Sequence, residues 1–151
     1  MFPRVRGANL ERRPFTLPED FEGDRNLVLI AFKREQQFDI DTWIPVARRL
    51  AREHKGFRYY ELPTISRSVP LARWWLDGAM RAGIPDKTAR EATITLYLDK
   101  TLFRQALDLA SEDTIYALLV NRSGQILWRA EGTATDEKTR ELQRALGDWA
   151  A

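Results

Sequence analysis

The sequence predicts an α/β fold, with a five-stranded mixed sheet flanked by helices in the order βαβαβαββα. The apolar run over 27–32 is unbroken, which is typical of a central strand covered on both faces. Strand-like and helix-like segments alternate after it, and this order implies right-handed parallel crossovers. Towards the C-terminal end, the turn signal Asn121-Arg122-Ser123-Gly124 joins two strand-like segments into a hairpin, which adds one antiparallel strand.

Each element is predicted by its own signal. After the first strand, Asp41 is expected to cap a helix that runs to Lys55 with an apolar inward stripe. A second strand over 57–62 is expected to end at Pro63, and a loop over 64–70 leads to a second helix that ends near Gly83. The rest of the chain is predicted as a strand over 93–98, a short helix over 101–109, hairpin strands over 116–120 and 125–130, and an amphipathic helix over 136–150.

Composition narrows the class of protein. The chain has 151 residues, of which 44% are hydrophobic, and this is enough for one domain with a real core. No apolar run approaches the roughly 18 residues that span a bilayer, and the first residues lack the apolar region of a secretory signal. We therefore expect a protein that has no transmembrane segment and is not secreted. No basic stripe with interleaved aromatic residues indicates a nucleic-acid partner.

The beginning of the chain carries a local concentration of positive charge. Arg4, Arg6, Arg12 and Arg13 lie there, although the formal net charge of the whole chain is only +2. We expect residues 1–14 to form a flexible basic arm and residues 15–151 to form a single domain.

The absence of cysteine limits the chemistry. Disulfide exchange and peroxide reduction by a protein thiol need a nucleophilic thiolate, so thiol redox catalysis is excluded. His54 is the only histidine, and no partners stand at metal-ligand spacing around it, so we interpret it as a surface residue beside the end of its helix. No glycine-rich phosphate-binding motif is present. The sequence therefore predicts neither a cofactor nor a metal.

A pattern around the first strand carries a family resemblance. Phe32 ends the strand, and Trp43-Ile44-Pro45-Val46-Ala47 lies in a helix with an internal proline. Together with the hairpin and the final helix, this pattern resembles the thioredoxin-like superfamily. The resemblance places Gln37 and Ile40 where the two cysteines of that superfamily stand, and its intervening pair corresponds to Phe38 and Asp39.

The same resemblance bears on the start of the hairpin. Matching its apolar strand and turn to the superfamily places Ile115 where a cis-proline precedes the strand. A cis bond before a residue other than proline costs about 2.5–4 kcal/mol, so the peptide bond between Thr114 and Ile115 is expected to be trans. Both halves of the dithiol apparatus are therefore missing.

Two further motifs carry a narrower resemblance. Tyr60-Glu61-Leu62-Pro63-Thr64-Ile65-Ser66 and Ile126-Leu127-Trp128-Arg129-Ala130-Glu131-Gly132-Thr133-Ala134-Thr135 resemble, in this order, two motifs of the mitochondrial ATP synthase assembly-factor family. That resemblance implies a cysteine-free, redox-inactive thioredoxin-like chaperone that brings the membrane subunit a onto the c-ring. It leaves two locations open, the cytoplasm of a prokaryote and the mitochondrion of a eukaryote.

The leading hypothesis is a protein-binding or assembly function and no enzymatic activity. Loops at the carboxyl ends of the strands should meet in a groove, where an extended protein client could add backbone hydrogen bonds. The candidate partner-binding residues of this groove are Arg34, Glu35, Gln36, Gln37, Asp39, Thr64, Ile65, Thr114 and Ile115. Trp74 and Trp75 diverge by about 100° on the second helix, so an exposed one of them is a candidate interface anchor.

Two alternatives remain open at the level of the sequence. One is an enzyme without thiol chemistry that acts on a small molecule through Glu35, Asp39 or Ser66, although solvation and loop hydrogen bonding explain these side chains better. The other is a homo-oligomeric structural subunit that associates through the face of Trp74 or Trp75.

Overall fold

One mixed sheet organises the part of the chain that the structure, a computed structural model, describes, namely residues 1–66 and 86–147. Its strands are β1 (Val5–Asn9), β2 (Pro14–Leu17), β3 (Arg25–Ala31), β4 (Phe57–Ser66), β5 (Ile94–Leu98), β6 (Tyr116–Asn121) and β7 (Ile126–Glu131). The helices are α1 (Gln37–Asp41), α2 (Ile44–Glu53), α3 (Lys87–Ala92), α4 (Lys100–Leu107) and α5 (Asp136–Leu146). A short 3₁₀ turn over Arg34–Gln36 precedes α1.

The strand order is β2-β1-β5-β4-β3-β6-β7. Strand β4 is parallel to β3 and β5, whereas β6 is antiparallel to β3 and β7. The predicted α/β class with a mixed sheet is therefore confirmed, although the described sheet has seven strands and not five.

Two cores cover the faces of the central strand β3, which explains its unbroken apolar sequence. Val28 and Ile30 pack on the side of α4, and Leu27 and Leu29 pack on the side of α2 and α5. All four side chains are fully buried. The predicted central strand and its neighbours 57–62, 93–98 and 116–120 thus lie at the centre of the sheet.

The N-terminal residues join this sheet, which corrects the expectation of an arm outside the domain. Strand β1 pairs with β2 and with β5, and Phe2 is 1% exposed. The ring of Phe2 makes edge contacts with Phe21 and Phe103 in the core. The exposed Arg4 forms an ion pair with Glu19 and does not extend a free basic surface.

The predicted long helix is divided in two, and Asp41 ends α1 where it was expected to cap the start of a helix. The cause is Pro45, which lies in the first turn of α2. A proline has no backbone N–H and its ring clashes with the carbonyl group four residues earlier, here that of Asp41. A helix therefore cannot run through this point, and a new one begins with proline in its first turn.

Strand β4 continues three residues beyond the expected end at Pro63. Pro63 lies opposite Ala31, the last residue of β3, and the strand continues by pairing with its other neighbour, with Thr64 opposite Leu96 of β5. Residues 64–66, predicted as loop, are therefore part of the sheet.

Several predicted features lie outside the described residues. They are the helix expected before Gly83 with Trp74 and Trp75, residues 67–70 of the predicted loop, and the last turn of the closing helix. Within the described residues, α5 buries Leu142 and Leu146. No helix of residues 1–66 and 86–147 combines the length and the apolar character that crossing a bilayer requires.

The position of Phe2 gives a direct test of the N-terminal strands. We expect Phe2→Ala to lower the free energy of unfolding by about 3 kcal/mol, because it removes a buried ring from the core. The exposed Leu102 is a matched control, and Leu102→Ala should change stability by less than about 0.5 kcal/mol. Urea unfolding of both variants measures this difference, and equal stability of the two would place residues 1–14 outside the core.

Candidate functional site

The candidate site lies where β3 ends, at the edge of the sheet to which three loops converge. The turn Arg34–Gln36 and α1 follow β3, and the segment before β6 contacts them through an ion pair of 2.7 Å between Lys33 and Asp113. The loop after β7 is attached by Trp43, whose Nε1 donates to the carbonyl oxygen of Gly132 at 2.9 Å. These contacts bring the three loops together around α1.

Gln36 ties the first two of these loops together from inside. Its side chain is 5% exposed, and its Oε1 accepts hydrogen bonds from the backbone N–H groups of Phe32 at 2.8 Å and Lys33 at 3.1 Å. Its Nε2 donates to the backbone carbonyl of Glu112 at 2.7 Å. Gln36, predicted as a partner-binding residue, is instead an internal support of the site.

The two positions that the sequence resemblance matches to cysteines have different environments. Gln37 is the first residue of α1 and is half-buried, whereas Ile40 is 1% exposed and packs in the core on the side of α2. Neither side chain is a nucleophile, and only Gln37 reaches the surface. Helix α1 is thus held by the packing of Ile40 in the core and by the hydrogen-bonded side-chain amide of Gln37.

Glu61 is a buried carboxyl group next to α1, with 8% of its surface exposed. Its Oε1 accepts a hydrogen bond from Gln37 Nε2 at 3.0 Å, and the same nitrogen donates to Asp41 Oδ1 at 2.9 Å. Burial raises the pKa of Glu61 and the Asp41 carboxylate adds to the rise, whereas the Gln37 hydrogen bond and the Arg48 guanidinium lower it. Glu61 belongs to the motif over 60–66, but the local sequence does not predict its burial, because that burial depends on elements distant in the chain.

The residues at the start of the hairpin are buried or hydrogen-bonded within the chain. Among the described residues, the cis peptide bond is that between Leu17 and Pro18, so the bond between Thr114 and Ile115 is trans, as predicted. Ile115 is fully buried, and its carbonyl oxygen accepts a hydrogen bond from the N–H of Gly132 at 2.9 Å. That carbonyl is therefore already engaged within the chain, and an added peptide strand would have to displace Gly132 to use it.

The other predicted groove residues divide into buried and accessible ones. Thr64 is fully buried and Ile65 is 2% exposed, because β4 extends through them. Arg34 and Glu35 are exposed, and Asp39 and Thr114 are partly so. The accessible surface of the site is therefore formed by the turn after β3 and by α1, and not by β4.

Phe38 is the main exposed residue of this surface, although it is not among the candidate residues that the sequence predicts. Its side chain is 79% exposed, more than any other large apolar side chain in the described part of the chain. Gln36 and Ile40, two positions to either side, are both buried. At about 100° per residue, Phe38 faces away from both of them, and this spacing is the signal that could have identified it.

The motif at the end of β7 consists of internal contacts. Gly132 has φ +78, which favours glycine, and it both donates and accepts the hydrogen bonds described above. The N–H of Ala134 donates to Thr42 Oγ1 at 2.9 Å, and Thr135 caps α5 by accepting from the N–H of Lys138. These residues position the loop against the end of α1.

The remaining sequence candidates lie outside this surface. His54 is half-buried and is the C-terminal cap of α2, where its N–H donates to the carbonyl of Leu50 at 2.9 Å. Ser66 is the last residue of β4 and is partly buried. Trp74 and Trp75, the predicted interface anchors, lie outside the described residues.

The pKa of Glu61 predicts a specific dependence of stability on pH. The folded state binds the Glu61 proton more tightly than the unfolded state does. Glu61 therefore lowers the free energy of unfolding progressively as the pH rises above about 4.3, the ordinary pKa of Glu. This loss is complete once the pH exceeds the raised pKa. Because Gln stays neutral, Glu61→Gln should become increasingly more stable than the wild type across this range. Urea unfolding at several pH values from about 4 to about 8 measures the effect.

A second variant should shift the pH dependence of stability in the opposite direction. Gln37→Ala removes the hydrogen bond that stabilises the ionised form of Glu61, so it should lose more stability than the wild type as pH rises. Parallel pH profiles for the wild type and Glu61→Gln would contradict the assignment.

Comparison with known proteins identifies solved structures with this architecture. Neither a family model nor a curated protein matches the chain. A thiol:disulfide interchange protein of the thioredoxin family from Chlorobium tepidum superposes with a TM-score of 0.58 at 16% identity, covering 96% of this chain and 94% of that one. The thioredoxin domain of a thiol-disulfide oxidoreductase from Bacteroides vulgatus gives 0.56 at 19% identity, with 95% and 93% covered.

StoA from Bacillus subtilis is also similar, with a TM-score of 0.55 at 9% identity and coverage of 96% and 97%. At identities this low, the similarity shows the fold alone. The predicted fold is confirmed: the chain has a thioredoxin-like fold, and it contains no cysteine.

Proposed function

We propose that this protein is a redox-inactive thioredoxin-like binding protein that holds a protein client on the surface of α1. The observation that carries the proposal is the 79% exposure of Phe38 on that helix. Burying a phenylalanine side chain is worth about 1.5–3 kcal/mol, so a partner that covers Phe38 gains a substantial part of its binding energy there.

The surroundings of Phe38 support binding more than covalent chemistry. The position before it is occupied by Gln37, which is hydrogen-bonded to Glu61, and Ile40 is enclosed in the core. A helix held in this way presents its exposed side chain with little loss of conformational freedom on association, and pre-organisation of this kind favours affinity.

For the identity of the client, we propose a subunit of a membrane complex, specifically subunit a of the ATP synthase. The support is the resemblance of the two motifs, over 60–66 and 126–135, to the ATP synthase assembly-factor family. In this chain the side chain of Glu61 and the backbone of Gly132 make contacts within the fold. In this proposal the motifs hold α1 in place, and α1 makes the contact with the client.

A second candidate function rests on Glu61. A carboxyl group whose pKa is raised by burial is suited to donate or accept a proton in catalysis. In an enzyme without thiol chemistry, Glu61 would therefore be the acid–base group, in preference to Glu35 and Asp39 on the surface. A small substrate would have to displace Gln37 from the Glu61 carboxylate to reach it.

Photo-cross-linking in source cells distinguishes client binding through Phe38 from catalysis by Glu61. A photoreactive amino acid at position 38 should capture client protein in much higher yield than the same group at position 102, since Leu102 is also exposed but lies on α4. Mass spectrometry of the purified adducts identifies the client, and ATP synthase subunit a or c is the expected one.

Each outcome has a distinct meaning. Adducts with another protein, specific to position 38, would retain the binding function and discard the ATP synthase client. Equal yields from positions 38 and 102, or no adducts at either, would contradict the binding function. In that case a small-molecule screen comparing the wild type with Glu61→Gln tests the enzymatic candidate.

A further inference from the structure

The apolar contact surface of α1 is flanked in the sequence by acidic residues. Glu35 precedes Phe38 in the turn, and Asp39 and Asp41 follow it on the helix. None of these three carboxylates takes part in an ion pair within residues 1–66 and 86–147. The surface therefore combines an exposed aromatic ring with three carboxylates that form no direct ion pair within these residues.

The nearby basic side chains are engaged elsewhere. Lys33 forms its ion pair with Asp113, and Lys100 and Arg104 both lie 3.4 Å from carboxylate oxygens of Glu112. These pairs hold the three cations against the carboxylates of the loop before β6. Between residues 34 and 41, three carboxylates stand against the single guanidinium of Arg34.

We propose that the client segment bound at α1 is a cationic peptide, with an apolar side chain that covers Phe38 and lysine or arginine residues on both sides of it. This inference rests on the proposed binding function and adds the chemistry of the partner. Charge complementarity at the rim of an interface selects partners and steers their approach more than it adds affinity. Salt screens such contacts with a length of about 8 Å at physiological ionic strength, so the preference should weaken as salt is added.

The support of α1 by buried groups makes the surface suitable for a test by substitution. Phe38 is exposed and Glu35 lies on the surface, so changing them leaves the core intact. Asp39 has no side-chain hydrogen bond recorded within the described residues, whereas Asp41 accepts one from Gln37. The charge variant is therefore Glu35→Gln/Asp39→Asn, which leaves Asp41 in place.

The test compares two fluorescein-labelled peptides by fluorescence anisotropy. Both contain a central Leu-Phe-Leu, flanked by two lysines on each side in one peptide and by two glutamates on each side in the other. The cationic peptide should bind the wild type more tightly than the anionic one. Phe38→Ala should weaken its binding about tenfold or more, and Glu35→Gln/Asp39→Asn should weaken it roughly threefold to tenfold at low salt.

The control variant removes the same formal charge from positions outside α1 and the turn before it. Asp108→Asn/Glu53→Gln changes two exposed carboxylates at the ends of α4 and α2, and Asn tolerates the left-handed backbone at 108. It should bind the cationic peptide within about twofold of the wild type. If the two double variants weaken binding equally, the preference for the cationic peptide depends only on the net charge of the protein, and the proposal is overturned.

Other outcomes also overturn it. They are equal or tighter binding of the anionic peptide, no binding of the cationic peptide, and no effect of Phe38→Ala. Sedimentation that shows self-association abolished by Phe38→Ala would assign the surface to a second copy of the chain. If cross-linking from position 38 still captures a client in any of these cases, the binding function stands and only the partner chemistry fails.

Discussion

The side-chain amide of Gln36 joins the end of β3 to the loop before β6, and the geometry of the candidate site depends on this connection. Its oxygen accepts from the N–H groups of Phe32 and Lys33, and its nitrogen donates to the carbonyl of Glu112. The Gln36 side chain is buried, so its polar atoms would be costly to leave without partners. With the turn held in this way, α1 begins in an orientation that turns Ile40 into the core and Phe38 to solvent.

The positions that the sequence resemblance matches to the cysteines and the cis-proline of thioredoxin-like proteins are occupied here by residues that make contacts within the fold. Gln37 is hydrogen-bonded to the buried Glu61, and Ile40 fills the core. Ile115 is buried after a trans peptide bond, with its carbonyl engaged by Gly132. A site built in this way is held by buried contacts and has no thiol, and we infer that non-covalent contact through α1 is its function.

The central sheet could be predicted because β3 shows its burial on both faces as a continuous apolar run. The N-terminal strands could not, because the burial of Phe2 depends on Phe103, a hundred residues away in the chain. Likewise, Thr64 is buried because β4 continues by pairing with β5, whereas Pro63 in the local sequence predicts that the strand ends there. The sequence predicts a site where the carboxyl ends of the strands meet, but it does not show which side chains there face inwards.

The central claim, that buried contacts hold α1 so that it presents Phe38, is tested most directly by nitrogen relaxation of the backbone amides of residues 37–41. The account predicts order parameters of about 0.85, the value of rigid backbone, and a clear decrease in Gln36→Ala. Order parameters below about 0.6 in the wild type would contradict it, because Phe38 would then belong to a flexible segment and not to a fixed contact surface.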